Sequence, residues 1–285
     1  MVTWRELLAE TTARVGERTA ARWLCEVAAS ASDGAEFVTM LDEPATERMI
    51  AHLDSMAVRL ATGEPLQYVL GQWSFRHIEV AIDRRVLIPR PETELVAGVA
   101  IDKARTFTTS RTVVDLGTGS GVIGLSLAAE LPVDGTTVWM TDRSADALDV
   151  ARANLAGIGR KGRNVRIGEG RWFDAVPTDL RFDVIVSNPP YVEAASDLDA
   201  SVVDWEPTGA LFAGPDGLDD IRTIVSDSYE RLVTGGWLIL EIGAGQGRAV
   251  RDLLLGRGFE AFEVRQDLAA RDRIAIARRP PGPRP

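Results

Sequence analysis

From Thr112 onward the chain alternates short apolar runs with helix-patterned stretches, and a glycine-rich loop occupies the first junction. A strand at 113–116 and a helix at 122–131 are joined by Asp115-Leu116-Gly117-Thr118-Gly119-Ser120-Gly121. A strand at 137–141 and a helix at 144–156 follow. Further strands are predicted at 165–167, 182–186 and 237–242, with helices at 218–232 and about 248–255. Runs at 259–264 and 274–277 read as a closing hairpin. Repeated βαβ alternation predicts an α/β, Rossmann-like doubly wound sheet, mostly parallel with an antiparallel terminal hairpin.

The first 72 residues carry a different period. Trp4, Leu7 and Leu8 share one helical face, Trp23, Leu24, Val27 and Ala28 a second, and Met49, Leu53, Met56 and Leu60 a third that follows Thr46. Gly63-Glu64-Pro65 ends that last helix, because proline cannot continue it and glycine suits its end. The pattern predicts a small helical bundle whose Met and Trp stripe is packing. Between 73 and 90 the period shortens, with Phe75, Ile78, Val80, Ile82, Val86 and Ile88 among polar residues. This stretch predicts a β-hairpin linker turning at Asp83-Arg84-Arg85. The organisation is therefore a helical domain at 1–72, a linker at 73–90, a catalytic domain at 91–279 and a disordered tail at 280–285.

Composition narrows the function. A single cysteine, Cys25, excludes an internal disulfide and fits a reducing cytoplasm, and no basic-then-apolar leader opens the chain. No apolar run approaches membrane-spanning length. Two histidines leave little material for a metal site or a catalytic triad, so no metal is expected. A net charge of −10 argues against broad binding to nucleic acid, which needs a cationic footprint.

The glycine loop lies where doubly wound sheets bind ligands, at the carboxyl end of a strand. Gly117, Gly119 and Gly121 let the backbone turn tightly and let a ligand approach it closely; Thr118 and Ser120 lie between them. Gly119-x-Gly121-x-x-Gly124 also fits a dinucleotide fingerprint, a weak signal alone. Asp115, expected at the mouth of the loop, welcomes a cationic amino-acid-bearing cofactor and repels a pyrophosphate, which favours S-adenosylmethionine over a nicotinamide cofactor. Asp142, ending the second strand, can accept both ribose hydroxyls of an adenosine, or can cap the following helix. Trp172 and Phe173 follow the third strand; either can stack on adenine or simply pack in the core.

Asn188-Pro189-Pro190-Tyr191, directly after the strand at 182–186, defines the chemistry. An amide or aniline-like nitrogen is a poor nucleophile because its lone pair is delocalised. The Asn188 side-chain oxygen and the Pro189 carbonyl can each accept one N–H of a substrate NH₂ group, aiming its lone pair at a sulfonium methyl. The prolines stiffen the turn and Tyr191 can stack on the flat substrate. Glu206 and Glu241, also in this half, read as structural or solvated acids, and His77 as a packing or surface residue. The motif by itself establishes only the kind of nitrogen attacked, an NH₂ on a flat conjugated group.

Across nearly its whole length the sequence resembles the HemK/PrmC family of protein-(glutamine-N5) methyltransferases. The resemblance is carried by Gly63-Glu-Pro-Leu-Gln-Tyr-Val-Leu-Gly71, Leu87-Ile-Pro-Arg-Pro-Glu-Thr-Glu-Leu95, the glycine loop, and Ser187-Asn-Pro-Pro-Tyr191. Glu206-Pro207, Gly214-Pro-Asp-Gly-Leu218, Gly235-Gly236, Leu240-Glu-Ile-Gly243 with Gln246, and Asp272-Arg273 continue it. Asn-Pro-Pro-Tyr is shared with adenine-N6 methyltransferases; the segment at 88–95 is far more specific. The resemblance implies a methyltransferase sheet and methylation of the glutamine in the Gly-Gly-Gln motif of class-one peptide chain release factors. It implies that the helical domain docks the factor, without direct nucleic-acid binding, and that Gly117 to Gly121, Asp142 and Trp172 contact S-adenosylmethionine. Asn188, Pro189, Pro190 and Tyr191 are then at the glutamine, with Asn188 also beside the cofactor. A glutamine of a ribosomal protein is the related alternative. Arg171 departs from the family, which often has an acid directly before Trp-Phe.

Overall fold

The computed structural model describes residues 2–282, and the chain divides into two compact units. The first runs to Trp73 and also takes in Asp199–Trp205; the second holds Ser74–Leu198 and the chain from Glu206 onward. Of the expected tail at 280–285, positions 283–285 lie outside the described residues.

The first unit is helical: α1 (Trp4–Val15), α2 (Arg18–Ala29), α3 (Gly34–Met40), α4 (Glu47–Ala61) and α5 (Leu66–Leu70). Thr3 and Glu6 form a reciprocal capping box on α1, and Thr46 caps α4 by accepting the Met49 N–H. Trp4, Leu24, Phe37, Leu53 and Met56 meet in one core, with the Trp4 and Phe37 rings edge-to-face at 6.0 Å. Cys25 is buried in that core, which pushes its thiol up to about 11 and keeps it unreactive. Helices α3 and α5 are too short for the periodic signal that revealed the other three.

The hairpin consists of β1 (Gln72–Phe75) and β2 (Ile78–Ala81), and it turns at Arg76-His77 rather than at Asp83-Arg84-Arg85. Arg76 takes the positive φ of 50° that a two-residue turn demands, and its guanidinium is clamped by the Glu130 carboxylate at 2.7 and 2.9 Å. Asp83 to Val86 makes a separate turn, so Val86 and Ile88 are buried without being strand residues.

The second unit continues through α6 (Pro91–Arg105), β3 (Arg111–Leu116), α7 (Val122–Glu130), β4 (Thr136–Asp142), α8 (Ala145–Gly157), β5 (Val165–Glu169) and β6 (Phe182–Ser187). A short α9 (Ala200–Val203) belongs to the helical unit. The remainder is α10 (Asp219–Arg231), β7 (Leu232–Glu241), α11 (Gly247–Arg257), β8 (Glu260–Gln266) and β9 (Asp272–Arg278). Seven strands form one sheet in the order β5-β4-β3-β6-β7-β9-β8, parallel except for β9, as the alternation predicts. Val113, Val114, Leu116 and Val184 to Val186 are buried because helices cover both faces of a parallel sheet.

Candidate active site

Strands β3 and β6 are neighbours at the centre of the sheet, with Leu116 opposite Ser187 in register. After β3 the chain builds outward through β4 and β5; with β6 it returns to the other side. This reversal opens a crevice at the carboxyl ends of the two strands. The glycine loop leaves β3 and Asn188 leaves β6 side by side, locked together by a 2.7 Å hydrogen bond from Ser187 Oγ to the Leu116 carbonyl.

Gly117, Gly119 and Gly121 have φ of 69°, 55° and 91°, conformations that side-chain-bearing residues rarely adopt. A Cβ on Gly117 would lie 3.1 Å from the Trp172 ring. Asp115 is not at the mouth of the loop. It is buried beneath it, where its Oδ2 accepts the Thr118 hydroxyl at 2.5 Å and the Gly124 N–H at 2.9 Å. A carboxylate that braces two turns of its own loop cannot also stand free in the opening. Burial pushes its proton affinity up to about 7, and Oδ1 finds no partner among the described residues.

Asp142 faces the crevice. Its two oxygens accept the Gly119 N–H at 3.0 Å and the Ser144 N–H at 2.9 Å, while Ser144 itself caps α8. Each oxygen keeps a lone pair for a further donor. Trp172 lines the same opening with φ of 49°, unusual for so large a residue, and its buried indole N–H has no partner among the described residues. Phe173 resolves as a core residue, 4% exposed against Phe182. Arg171, in place of an acid, also lines the opening and pairs with Asp220 at 3.0 Å.

The opening is a cavity of about 250 Å³, near the lower end of small-molecule sites. Gly117, Thr118, Gly119 and Ser120 border it, and so do Asn188 and Pro190, which brings the two motifs to one space. Gly121, Pro189 and Tyr191 do not line it. Pro189 is buried, and the Tyr191 ring packs on the core with its hydroxyl donated to Glu241 at 3.1 Å. Tyr191 is therefore held away from the stacking position expected of it.

Several residues have a place at the site that the sequence reading did not assign them. Glu241, at the end of β7, is 1% exposed and accepts the Thr93 hydroxyl at 2.7 Å; Thr93 in turn accepts from Asn188 Nδ2 at 3.1 Å. Glu206 pairs with Arg90 and accepts the Ile88 N–H at 3.1 Å, folding the segment at 88–90 along the cavity. Neither acid is solvated. Gln246 donates to the Tyr191 carbonyl at 3.0 Å and to that of Gly217 at 3.2 Å. Asn154 ties the loop to β2 by donating to the Ser120 and Ala81 carbonyls and accepting the Ala81 N–H.

Family models match over residues 3–71, as the PrmC N-terminal domain, and over 99–204, as the methyltransferase small domain. A release factor glutamine methyltransferase of Burkholderia pseudomallei is 43% identical over 250 residues, 86% of each chain. Another, of Xylella fastidiosa, is 39% identical over 87% of this chain and 88% of its own. The chain belongs to the release factor glutamine methyltransferase family. A methyltransferase structure from Pyrococcus furiosus shares the fold, with a TM-score of 0.53 over 80% of this chain and 99% of that one, at 15% identity. As a member of this family the chain is a methyltransferase whose methyl donor is S-adenosylmethionine. The residues present fit that donor: a glycine-walled opening, a carboxylate with two spare acceptor positions and an unpartnered indole border one cavity. Among the described residues no helix is long and apolar enough to cross a membrane, and no acidic, histidine or cysteine cluster could hold a metal.

Proposed function

We propose that the chain methylates the side-chain amide nitrogen (N5) of the glutamine in the Gly-Gly-Gln motif of class-one peptide chain release factors. The observation that carries this reading is Asn188 on the wall of the cavity beside the glycine loop, its Nδ2 already committed to Thr93. Its Oδ1 is thereby left to accept an N–H from a substrate NH₂ group, and the backbone carbonyl of Pro189, next in the turn though outside the cavity lining, would accept the other. The family relatives at 43% and 39% identity, both release factor glutamine methyltransferases by name, support glutamine over adenine as the bearer of that nitrogen.

Bound S-adenosylmethionine supplies an electrophilic methyl on a sulfonium. Gly117 to Ser120 would cradle it, with Gly121 completing the turn behind them, Asp142 would accept its ribose hydroxyls and Trp172 would stack on its adenine. Asn188 and Pro189 hold the amide plane so that its nitrogen faces the methyl, and Pro190 stiffens the turn. Tyr191 braces this turn through Glu241. The helical unit docks the release factor, and the setting is the cytoplasm. The test is transfer of labelled methyl to an intact release factor. Label on the factor, lost when its motif glutamine is changed to alanine, is the expected result; label appearing only in nucleic acid, or in a ribosomal protein, overturns it.

A further inference from the structure

The side chain of Asn188 can present either its oxygen or its NH₂ to a substrate, and only the oxygen can accept an amide N–H. Nothing in Asn-Pro-Pro-Tyr itself selects between the two. The selection comes from outside the motif, at positions 93 and 241.

Glu241 stands at the carboxyl end of β7, one residue beyond Leu240, which is opposite Ser187 in the β6–β7 register. The buried carboxylate therefore lies at the level of Asn188. Its two oxygens are divided: Oε2 takes the Thr93 hydroxyl at 2.7 Å and Oε1 takes the Tyr191 hydroxyl at 3.1 Å. With both Glu241 oxygens accepting, the Thr93 hydroxyl spends its single proton on the carboxylate. What Thr93 retains is acceptor capacity, and the group it can accept from is the Asn188 NH₂, 3.1 Å away. Burial raises the proton affinity of Glu241, and the two donated hydroxyls and the Arg273 guanidinium offset part of that rise. Arg273 is itself positioned, with Nη1 3.2 Å from the Ile242 carbonyl and 3.4 Å from the Tyr191 hydroxyl.

We propose that Glu241 and Thr93 are positioning residues for methyl transfer, a directional hydrogen-bond relay that holds Asn188 with its oxygen toward the substrate amide. The relay rests on the glutamine reading above and adds to it the reason that Asn188 is an acceptor. It also assigns a job to the threonine of the segment at 88–95: α6 begins at Pro91 so that Thr93 falls in its first turn, where its side chain reaches both partners. Without the relay the Asn188 amide can turn over, and its NH₂ would then meet the NH₂ of the substrate donor to donor.

The test compares Thr93→Val, Thr93→Ser and Glu241→Gln in the full chain, with an unmodified release factor and S-adenosylmethionine as substrates. Valine keeps the shape of threonine and removes the hydroxyl; glutamine can offer an oxygen to only one of the two hydroxyls. Thr93→Val is expected to lower kcat by about 10- to 100-fold, as loss of orientation does, and Glu241→Gln by about tenfold or more. Cofactor affinity by calorimetry is expected to stay within about twofold, and Thr93→Ser to recover most of the lost turnover. The relay is overturned if Thr93→Val and Glu241→Gln both keep kcat within about threefold of the unaltered chain. It is equally overturned if kcat, cofactor affinity and melting temperature fall together and serine restores none of them. Either substitution suffices if the other does not fold. Absence of transfer by the unaltered chain would instead overturn the glutamine reading.

Discussion

The Asp142 carboxylate holds the Gly119 N–H at 3.0 Å, so the acid ending β4 fixes the glycine loop that follows β3. The same carboxylate receives the Ser144 N–H, and its remaining lone pairs face the cavity. Asp142→Ala removes the loop anchor and, with it, the acceptors proposed for the ribose hydroxyls. The dissociation constant for S-adenosylmethionine is expected to rise by about 10- to 100-fold, the worth of hydrogen bonds to a charged group. Calorimetry reads this directly, and an unchanged constant would remove Asp142 from the cofactor site.

Gly217 lies against the substrate turn from behind. Its φ is 70°, and a Cβ there would stand 2.3 Å from the Tyr191 carbonyl oxygen. Gly217→Ala is expected to destabilise the protein by about 1–3 kcal/mol and to displace the Asn188 turn, lowering kcat. Urea unfolding and steady-state turnover on one preparation check this; native stability with native turnover would show that the close approach is relieved at no cost.

Asp115 makes stability depend on pH in an unusual direction. Its carboxyl titrates at an ordinary 3.8 in the unfolded chain and at about 7 in the folded one. Between these values the folded protein keeps a proton that the unfolded chain has released, so stability of the cofactor-free protein falls as pH rises through the window. Asp183, also pushed upward by burial, contributes slope of the same sign. Asp115→Asn should flatten the decline measured by urea midpoints between about pH 4 and pH 7. An equally steep decline in the variant would contradict the assignment to Asp115.

Asn188→Ala separates chemistry from cofactor binding. It deletes the acceptor while leaving the glycine loop, Asp142 and Trp172 in place. Turnover should fall by about 100-fold or more, the scale set by removing one preorganised polar group, with cofactor affinity largely retained. Near-normal turnover would contradict the positioning argument.

The parallel sheet was legible because each strand from Val113 to Ile242 is an apolar run bounded by a turn or a helix signal, which is a local property. The hairpin turn was misplaced because Asp83-Arg84-Arg85 has turn composition, whereas Arg76-His77 lacks it and Arg76 is held by partners distant in sequence, Glu94 and Glu130. Asn188, Pro190 and Asp142 were readable from their places at strand ends. Thr93 and Glu241 were not, because their significance is a contact across 148 positions of sequence, and Glu241 alone looks like any acid at the end of a strand. Asp115 was read as an open carboxylate because nothing local announces that Thr118 and Gly124 close over it. The grouping of Asp199–Trp205 with the helical unit also left no periodic mark.

The most direct test of the central claim is mass spectrometry of release factors from cells with and without this protein, reading the peptide that contains Gly-Gly-Gln. The account predicts one methyl group on the glutamine side chain when the protein is present, its loss when the protein is absent, and no restoration by the Asn188→Ala variant. An identical, unmethylated glutamine in both samples, or a methyl group that persists without the protein, would contradict it.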